Sequence, residues 1–181
     1  MIHRQFEFNA LKFKELVLYL AERSGADPGF ASTKLNKLLF FCDFEAYRLL
    51  GHPITGATYQ KLKWGPAARE FLPMQDELLW WEDARVERRE RGPYTQLVTI
   101  ALRSADPEIF PADEREIIDR VIEALQPLDA RGASELSHEH SAGWNLMAEG
   151  EPIPYESALI STQRPPERVF SHFRRLHGIT P

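Results

Sequence analysis

Ser137-His138-Glu139-His140-Ser141 is the stretch of this chain whose residue types come nearest to metal or acid–base chemistry. Imidazoles at His138 and His140, with Glu135 or Glu139 beside them, are donors that a divalent cation accepts. The spacing works against such a site. On a helix, residues two apart point to different sides, and only i,i+3 or i,i+4 pairs face one site. A His-x-His pair converges on a strand or loop, and no second cluster of His or Cys supplies further ligands. The pattern reads better as a solvated helix end capped by Ser137. Cys42 is the only cysteine and falls on an apolar helix face, so it reads as a small core residue rather than a reactive thiol. The sequence has no Gly-x-Ser-x-Gly elbow, no Gly-x-x-x-x-Gly-Lys-Ser/Thr phosphate loop and no Gly-x-Gly-x-x-Gly fingerprint. The expectation is a protein that is not an enzyme and that needs no cofactor and no metal.

Two other constellations point towards partners. Arg85, Arg88, Arg89 and Arg91 could form the basic wing of a winged-helix DNA reader, but Glu82, Asp83, Glu87 and Glu90 cancel them within the same short stretch. A DNA-contacting wing needs net positive charge to release counterions, so a solvated edge strand is the better reading. The aromatic residues are more suggestive. Trp80-Trp81, Phe40-Phe41, Trp64, Trp144, Phe170 and Phe173 exceed what one face of each element can bury, and adjacent aromatics on a helix cannot both face inward. Exposed Trp and Phe with Arg nearby are the chemistry of protein interfaces, which marks Trp80, Trp81, Phe170, Phe173 and Arg174 as partner-contact candidates.

The net charge of −5 conceals a division. Residues 1–105 carry +2, residues 106–151 carry −9 with three Arg against 12 acids, and residues 152–181 carry +2. An acidic middle segment repels a phosphate backbone and attracts a basic protein, so nucleic acid is disfavoured as the main ligand. No apolar run approaches the roughly 20 residues that cross a membrane, and the N-terminus does not read as a secretory signal. With a single cysteine, these features point to the cytoplasm.

The elements that must position these residues are mostly helical. Asn9 and Gly25 bracket a first helix over Ala10 to Arg23, with Phe13, Leu16, Val17 and Leu20 on one face. Ser32 or Thr33 caps a second, whose stripe is Leu35, Leu38, Leu39, Cys42, Ala46 and Leu49. Gly51 and Pro53 stop it. Residues 55–63 read as a strand or a short irregular crossing. Gly65-Pro66 is expected to open a third helix running to about Trp81, interrupted at Pro73. A hairpin turns at Arg91-Gly92-Pro93, with Val98, Ile100 and Leu102 facing inward. Asp113-x-x-Glu116 reads as a capping box for a fourth helix carrying Ile117, Ile118, Val121, Ile122 and Leu125. One or two short helices cover Ala133 to Met147, and Gly150-Glu151-Pro152-Ile153-Pro154 reads as irregular. A last helix over Pro166 to His177 puts Val169, Phe170 and Phe173 on one face. The fold class is mainly α (α+β): a single-domain helical bundle, residues 1–181, with one small antiparallel β-hairpin. Its C-terminal end, from about position 162 onward, reads as a helical extension.

Several of these pieces together resemble the Panacea-domain (SocA-like) antitoxin family of bacterial toxin–antitoxin systems. They are Lys34-Leu35-Asn36-Lys37-Leu38-Leu39-Phe40-Phe41, Gly51-His52-Pro53-Ile54 and Leu62-Lys63-Trp64-Gly65-Pro66. Glu135-Leu136-Ser137-His138 leading to Trp144 follows, then Glu151-Pro152-Ile153-Pro154-Tyr155. They occur in the family's order over roughly residues 10 to 160. The chain departs from it after His138, where Glu139-His140-Ser141-Ala142-Gly143 stands in place of a Pro-Trp ending. The resemblance implies a non-enzymatic antitoxin that binds a cognate toxin, small and basic, and that can act as an adaptor presenting it to an ATP-dependent protease. It adds the motif positions Lys34, Lys37, Tyr59, Lys61 and Trp64 to the partner-binding set. A DNA-binding transcriptional regulator with a winged-helix-like hairpin is the alternative.

Overall fold

The computed structural model describes residues 6–162. The helix expected at 166–177, with Phe170, Phe173 and Arg174, lies outside them.

Helix α1 (Ala10–Arg23) begins where the Asn9 side chain accepts the Lys12 N–H at 2.9 Å, and its stripe of Phe13, Leu16, Val17 and Leu20 is fully buried. Helix α2 (Ser32–Leu50) ends at Gly51, whose φ of 81° is the left-handed conformation that only glycine adopts without strain. Leu35, Leu38, Leu39, Cys42 and Ala46 are buried as their spacing requires. Leu49 is 45% exposed, lining a surface depression with Ile117 and Val121 of the later helix 112–125. The cap also differs from expectation. Ala31 occupies it without a side-chain bond, and the Ser32 hydroxyl donates instead to the Leu97 carbonyl at 2.9 Å.

Strands β1 (Tyr59–Leu62) and β2 (Gly65–Ala68) form an antiparallel hairpin, pairing Tyr59 with Ala68 and Leu62 with Gly65. Gly65-Pro66 therefore lies in a strand and not at a helix start. Proline is tolerated there because β2 pairs only with β1, leaving its other edge without ladder bonds. The proline-rich stretch is irregular as expected, apart from one isolated bridge of Pro152 with Gln60, and its backbone bonds to β1. The Gly150 N–H donates to the Lys61 carbonyl and the Lys61 N–H to the Glu151 carbonyl, while the Ile153 N–H reaches the Tyr59 carbonyl at 2.7 Å. Helix α3 (Phe71–Trp80) starts well after the expected Gly65. Pro73 then falls in its first turn, where the missing N–H would have no intrahelical partner anyway, and so it breaks nothing.

The second hairpin pairs β3 (Ala84–Arg91) with β4 (Tyr94–Ala101) around Gly92-Pro93, where it was expected. Its burial does not alternate as expected. Val98 and Thr99 point to opposite faces and both are 1% exposed, while Leu102 lies past the strand and is exposed. The base of this hairpin is thus covered on both sides, with the Gln75 amide of α3 donating to the Thr99 hydroxyl at 2.8 Å.

Helix α4 (Ala112–Leu125) follows Pro111 with no side-chain cap, and Asp113 accepts the Glu114 N–H rather than closing a box with Glu116. Ile117, Ile118, Val121 and Leu125 are buried. Asp129 caps α5 (Ala130–His140), Ser141 caps α6 (Ala142–Leu146), and a 3₁₀ turn spans Tyr155–Leu159. Helix α2 packs against α1, α4, α5, β2, β4 and that turn, so it is the central element of one core. The fold is mainly α, as expected, with two small hairpins where one was foreseen. Among the described residues no helix is long and apolar enough to cross a membrane.

Candidate functional site

The motif residues of α2 split into an inner and an outer set. Lys34 is 1% exposed, and its ammonium donates to the Asp27 carboxylate and to the carbonyls of Leu128 and Gln126. One cation thereby ties the α1–α2 loop to the C-terminal end of α4, where carbonyls without helical partners favour positive charge. Lys37, one turn later, is 2% exposed and donates to the Pro66 carbonyl at 3.0 Å. No carboxylate among the described residues pairs with it, and burial lowers its pKa to about 8.

The Gly65 backbone passes directly over this lysine. At φ 102°, a Cβ there would sit 2.5 Å from Lys37 Cε and 2.8 Å from Ser137 Oγ. Glycine is required at this position both for its backbone angle and for the close approach. Trp-Gly-Pro, the α2 lysine and Ser137 are therefore parts of one packed joint. Ser137 is wholly buried and bonds the Ser134 carbonyl, so it caps nothing.

On the outer side of that joint, Trp144 lies stacked on His138, centroids 3.7 Å apart and planes 10° apart. The Lys61 ammonium sits 4.4 Å above the same indole ring, whose Nε1–H donates to the Leu62 carbonyl at 3.2 Å. Such a cation over an aromatic face contributes about 0.5–2 kcal/mol. Burial, with Lys37 and Lys61 nearby, lowers the His138 pKa below its ordinary value. His138 Nε2 is buried without a hydrogen-bond partner among the described residues. His138 and His140 converge on no common point with their neighbouring carboxylates. Among the described residues no three His, Cys, Asp or Glu come together as a metal site would require.

Asp43 is the buried group that sequence reasoning missed. It is 0% exposed and accepts the Thr55 N–H at 2.7 Å, the Thr55 hydroxyl, and the Tyr59 hydroxyl at 2.8 Å. Burial pushes its pKa up to about 6, against the lowering effect of those hydrogen bonds. The available signal was a lone acid in Phe40-Phe41-Cys42-Asp43-Phe44, on a helix otherwise apolar on that side. Tyr59 is therefore an internal strut, 1% exposed. Burial also raises the Cys42 thiol pKa, so this sulfur stays protonated in the core.

The exposed candidates lie elsewhere. Trp80 and Trp81 at the end of α3 are 81% and 70% exposed, and Trp64 at the β1–β2 turn is 66% exposed under the Lys63 ammonium. From Glu70 to Asp83 there is no Lys or Arg, and Leu72 joins the tryptophans on the exposed side of α3. Two of the acids are paired, Glu77 with Lys14 and Asp83 with Arg103, while Asp76 and Glu82 have no ion pair among the described residues. In the β3–β4 hairpin, Arg85 and Arg89 both bridge to Glu87, and Arg91 donates to the Pro28 carbonyl. The structure brings Lys37, Gly65, Ser137, His138, Trp144 and Lys61 together. It sets Trp80 and Trp81 apart from them on the surface.

The sequence model of the family described as antitoxin SocA-like, Panacea domain, matches residues 35–145. The match runs from the first turn of α2 into α6 and so covers the whole joint around Lys37. No curated protein matches the chain.

Proposed function

Because the chain belongs to the Panacea-domain family of SocA-like antitoxins, we propose that it neutralises a cognate toxin by binding it directly, without chemistry of its own. The observation that carries this reading is the surface at the end of α3, where two adjacent tryptophans stand in water beside carboxylates. Exposed indoles are costly to maintain on a free surface and are the commonest anchors of protein interfaces. The local excess of acid, continued in residues 106–151, fits a small basic toxin. Lys34, Lys37 and Tyr59 support the interface from within, by holding the fold that presents it. Lys61 and Trp64 lie nearer the surface, on the β1–β2 hairpin.

The test is to express the tagged chain with the product of the adjacent gene and ask what co-purifies. A stoichiometric small partner that is toxic alone is the expected result. A neighbour that neither binds nor harms the cell would sink the reading. Replacing Trp80 and Trp81 by serine should then weaken binding by about 2 kcal/mol or more, roughly 30-fold, with the unfolding midpoint unchanged. In its adaptor form the proposal adds one feature: toxin half-life in cells with an ATP-dependent protease should shorten when the chain is present. Unchanged half-life with intact neutralisation would restrict the role to binding alone.

A further inference from the structure

The register of the second hairpin decides which way each backbone group of β4 points. The Leu102 N–H donates to the Asp83 carbonyl at 2.8 Å, just past the paired strands. Tyr94, Gln96, Val98 and Ile100 therefore exchange bonds with β3, and the residues between them turn theirs outward. The Leu97 carbonyl shows that side, since the Ser32 hydroxyl donates to it from α2. The Thr95 N–H and carbonyl and the Leu97 N–H face the same way, and no hydrogen bond reaches them among the described residues. An edge of this kind invites pairing with another chain, and proteins commonly guard it with charge. Strand β3 carries Arg85, Glu87, Arg88, Arg89 and Glu90 as such guards, whereas Tyr94–Ala101 contains no charged residue and no proline.

The open part of that edge, Tyr94 to Leu97, lines a cleft of about 620 Å³. Its other walls are the starts of α2 and α5, and Trp64 borders it. At the rise of a strand, Tyr94 to Leu97 spans about 10 Å, which is room for three or four residues of a further strand. The lining is basic. Arg91 has no ion pair among the described residues and donates to the Pro28 carbonyl, and the Lys63 ammonium lies 4.8 Å over the Trp64 ring. Arg131 is 86% exposed in its pair with Glu135, a contact that a competing carboxylate displaces at little cost. The one acid of the lining, Asp129, accepts the Gly132 N–H at 2.8 Å as the α5 cap. We propose that this cleft binds an extended acidic peptide segment of a partner protein, added as a third strand along Thr95 and Leu97 with a carboxylate set against Arg131. The site lies at the tip of the hairpin, whereas Trp80 and Trp81 precede its base, and it does not rest on the toxin reading.

The test pans a phage library of random linear peptides on the full chain and measures the enriched sequences as synthetic peptides. Expected are sequences carrying Asp or Glu whose binding slows hydrogen exchange at the Thr95 and Leu97 amides. Thr95→Pro removes an outward N–H and leaves every bond to β3, so it should weaken binding about tenfold or more. Thr95→Val keeps the N–H and should leave binding unchanged, while Arg131→Glu should weaken it several-fold. Exchange in the parent chain decides the case should Thr95→Pro alter the fold. No enriched sequence, protection confined to other regions, or equal binding by a folded Thr95→Pro chain would overturn the proposal. So would a dimer of the chain that Thr95→Pro dissolves, since a second copy would then cover the edge.

Discussion

Asp43 and Lys37 are buried, ionisable and only partly compensated, and each makes stability depend on pH in a direction set by its shift. A carboxyl whose folded pKa is raised to about 6 holds a proton that the unfolded chain releases near 4. The folded state then binds more protons between those values, so Asp43's contribution to stability falls as pH rises from about 4 to 6. Asp43→Asn should flatten that slope in urea titrations at successive pH values. Asp43→Ala should cost about 2–4 kcal/mol near pH 4 and less above pH 6, because it strands the Thr55 and Tyr59 donors in the core but also removes the titrating carboxyl. Lys37 acts in the opposite range. Its folded pKa of about 8 lies below the unfolded value, so the unfolded chain binds more protons from about 8 to 10.5 and stability rises with pH there. Lys37→Met should remove that rise, visible as the difference between variant and parent unfolding midpoints across the window. A parallel pair of curves would show that Lys37 is not the group responsible.

At the scale of elements, the β1–β2 hairpin depends on one glycine. Gly65→Ala combines a positive φ with a Cβ driven into Lys37 Cε and Ser137 Oγ, and should cost upwards of about 2 kcal/mol by chemical denaturation. Gly51→Ala, at a helix end with open space around it, should cost only about 1 kcal/mol. Equal effects at the two sites would show that contact with Lys37 contributes nothing. The same contrast explains what was legible in the sequence. The bounds of α1 and α2 could be read because their causes are local: Asn9 as a cap, a helical apolar stripe, Gly51 as a stop. Gly65-Pro66 looked like a helix start because its reasons are distant. The lysine beneath it belongs to the first half of α2, and the strand-like partner of β1 arrives only at 150–153. The caps of α2 and α4 failed likewise, since Ser32 has a better use on the Leu97 carbonyl, and Pro111 already sets the entry to α4.

For the whole molecule, the segregation of charge predicts the kinetics of association. An acidic surface meeting a basic partner is steered by long-range attraction that salt screens beyond about 10 Å at 0.1 M. On the proposed toxin-binding function, the association rate should therefore fall about tenfold or more between low and high salt, while dissociation, if the tryptophans anchor the partner, changes little. A salt-independent association rate would remove electrostatics from recognition. This division was visible in composition, and the exposure of Trp80 and Trp81 followed from their adjacency. The role of Lys34 and Lys37 was not visible, since a lysine on an apolar helix gives no sign in sequence of whether its ammonium reaches water or a buried carbonyl. The four indoles also have an optical consequence. Three of them stand in water and the fourth is stacked on an imidazole that titrates, so they emit from two separable environments. A ligand seated on the end of α3 would shift the emission of the first group towards the blue. Protonating His138 would quench the Trp144 component alone, giving the unlabelled protein separate readouts of occupancy and of its own internal joint.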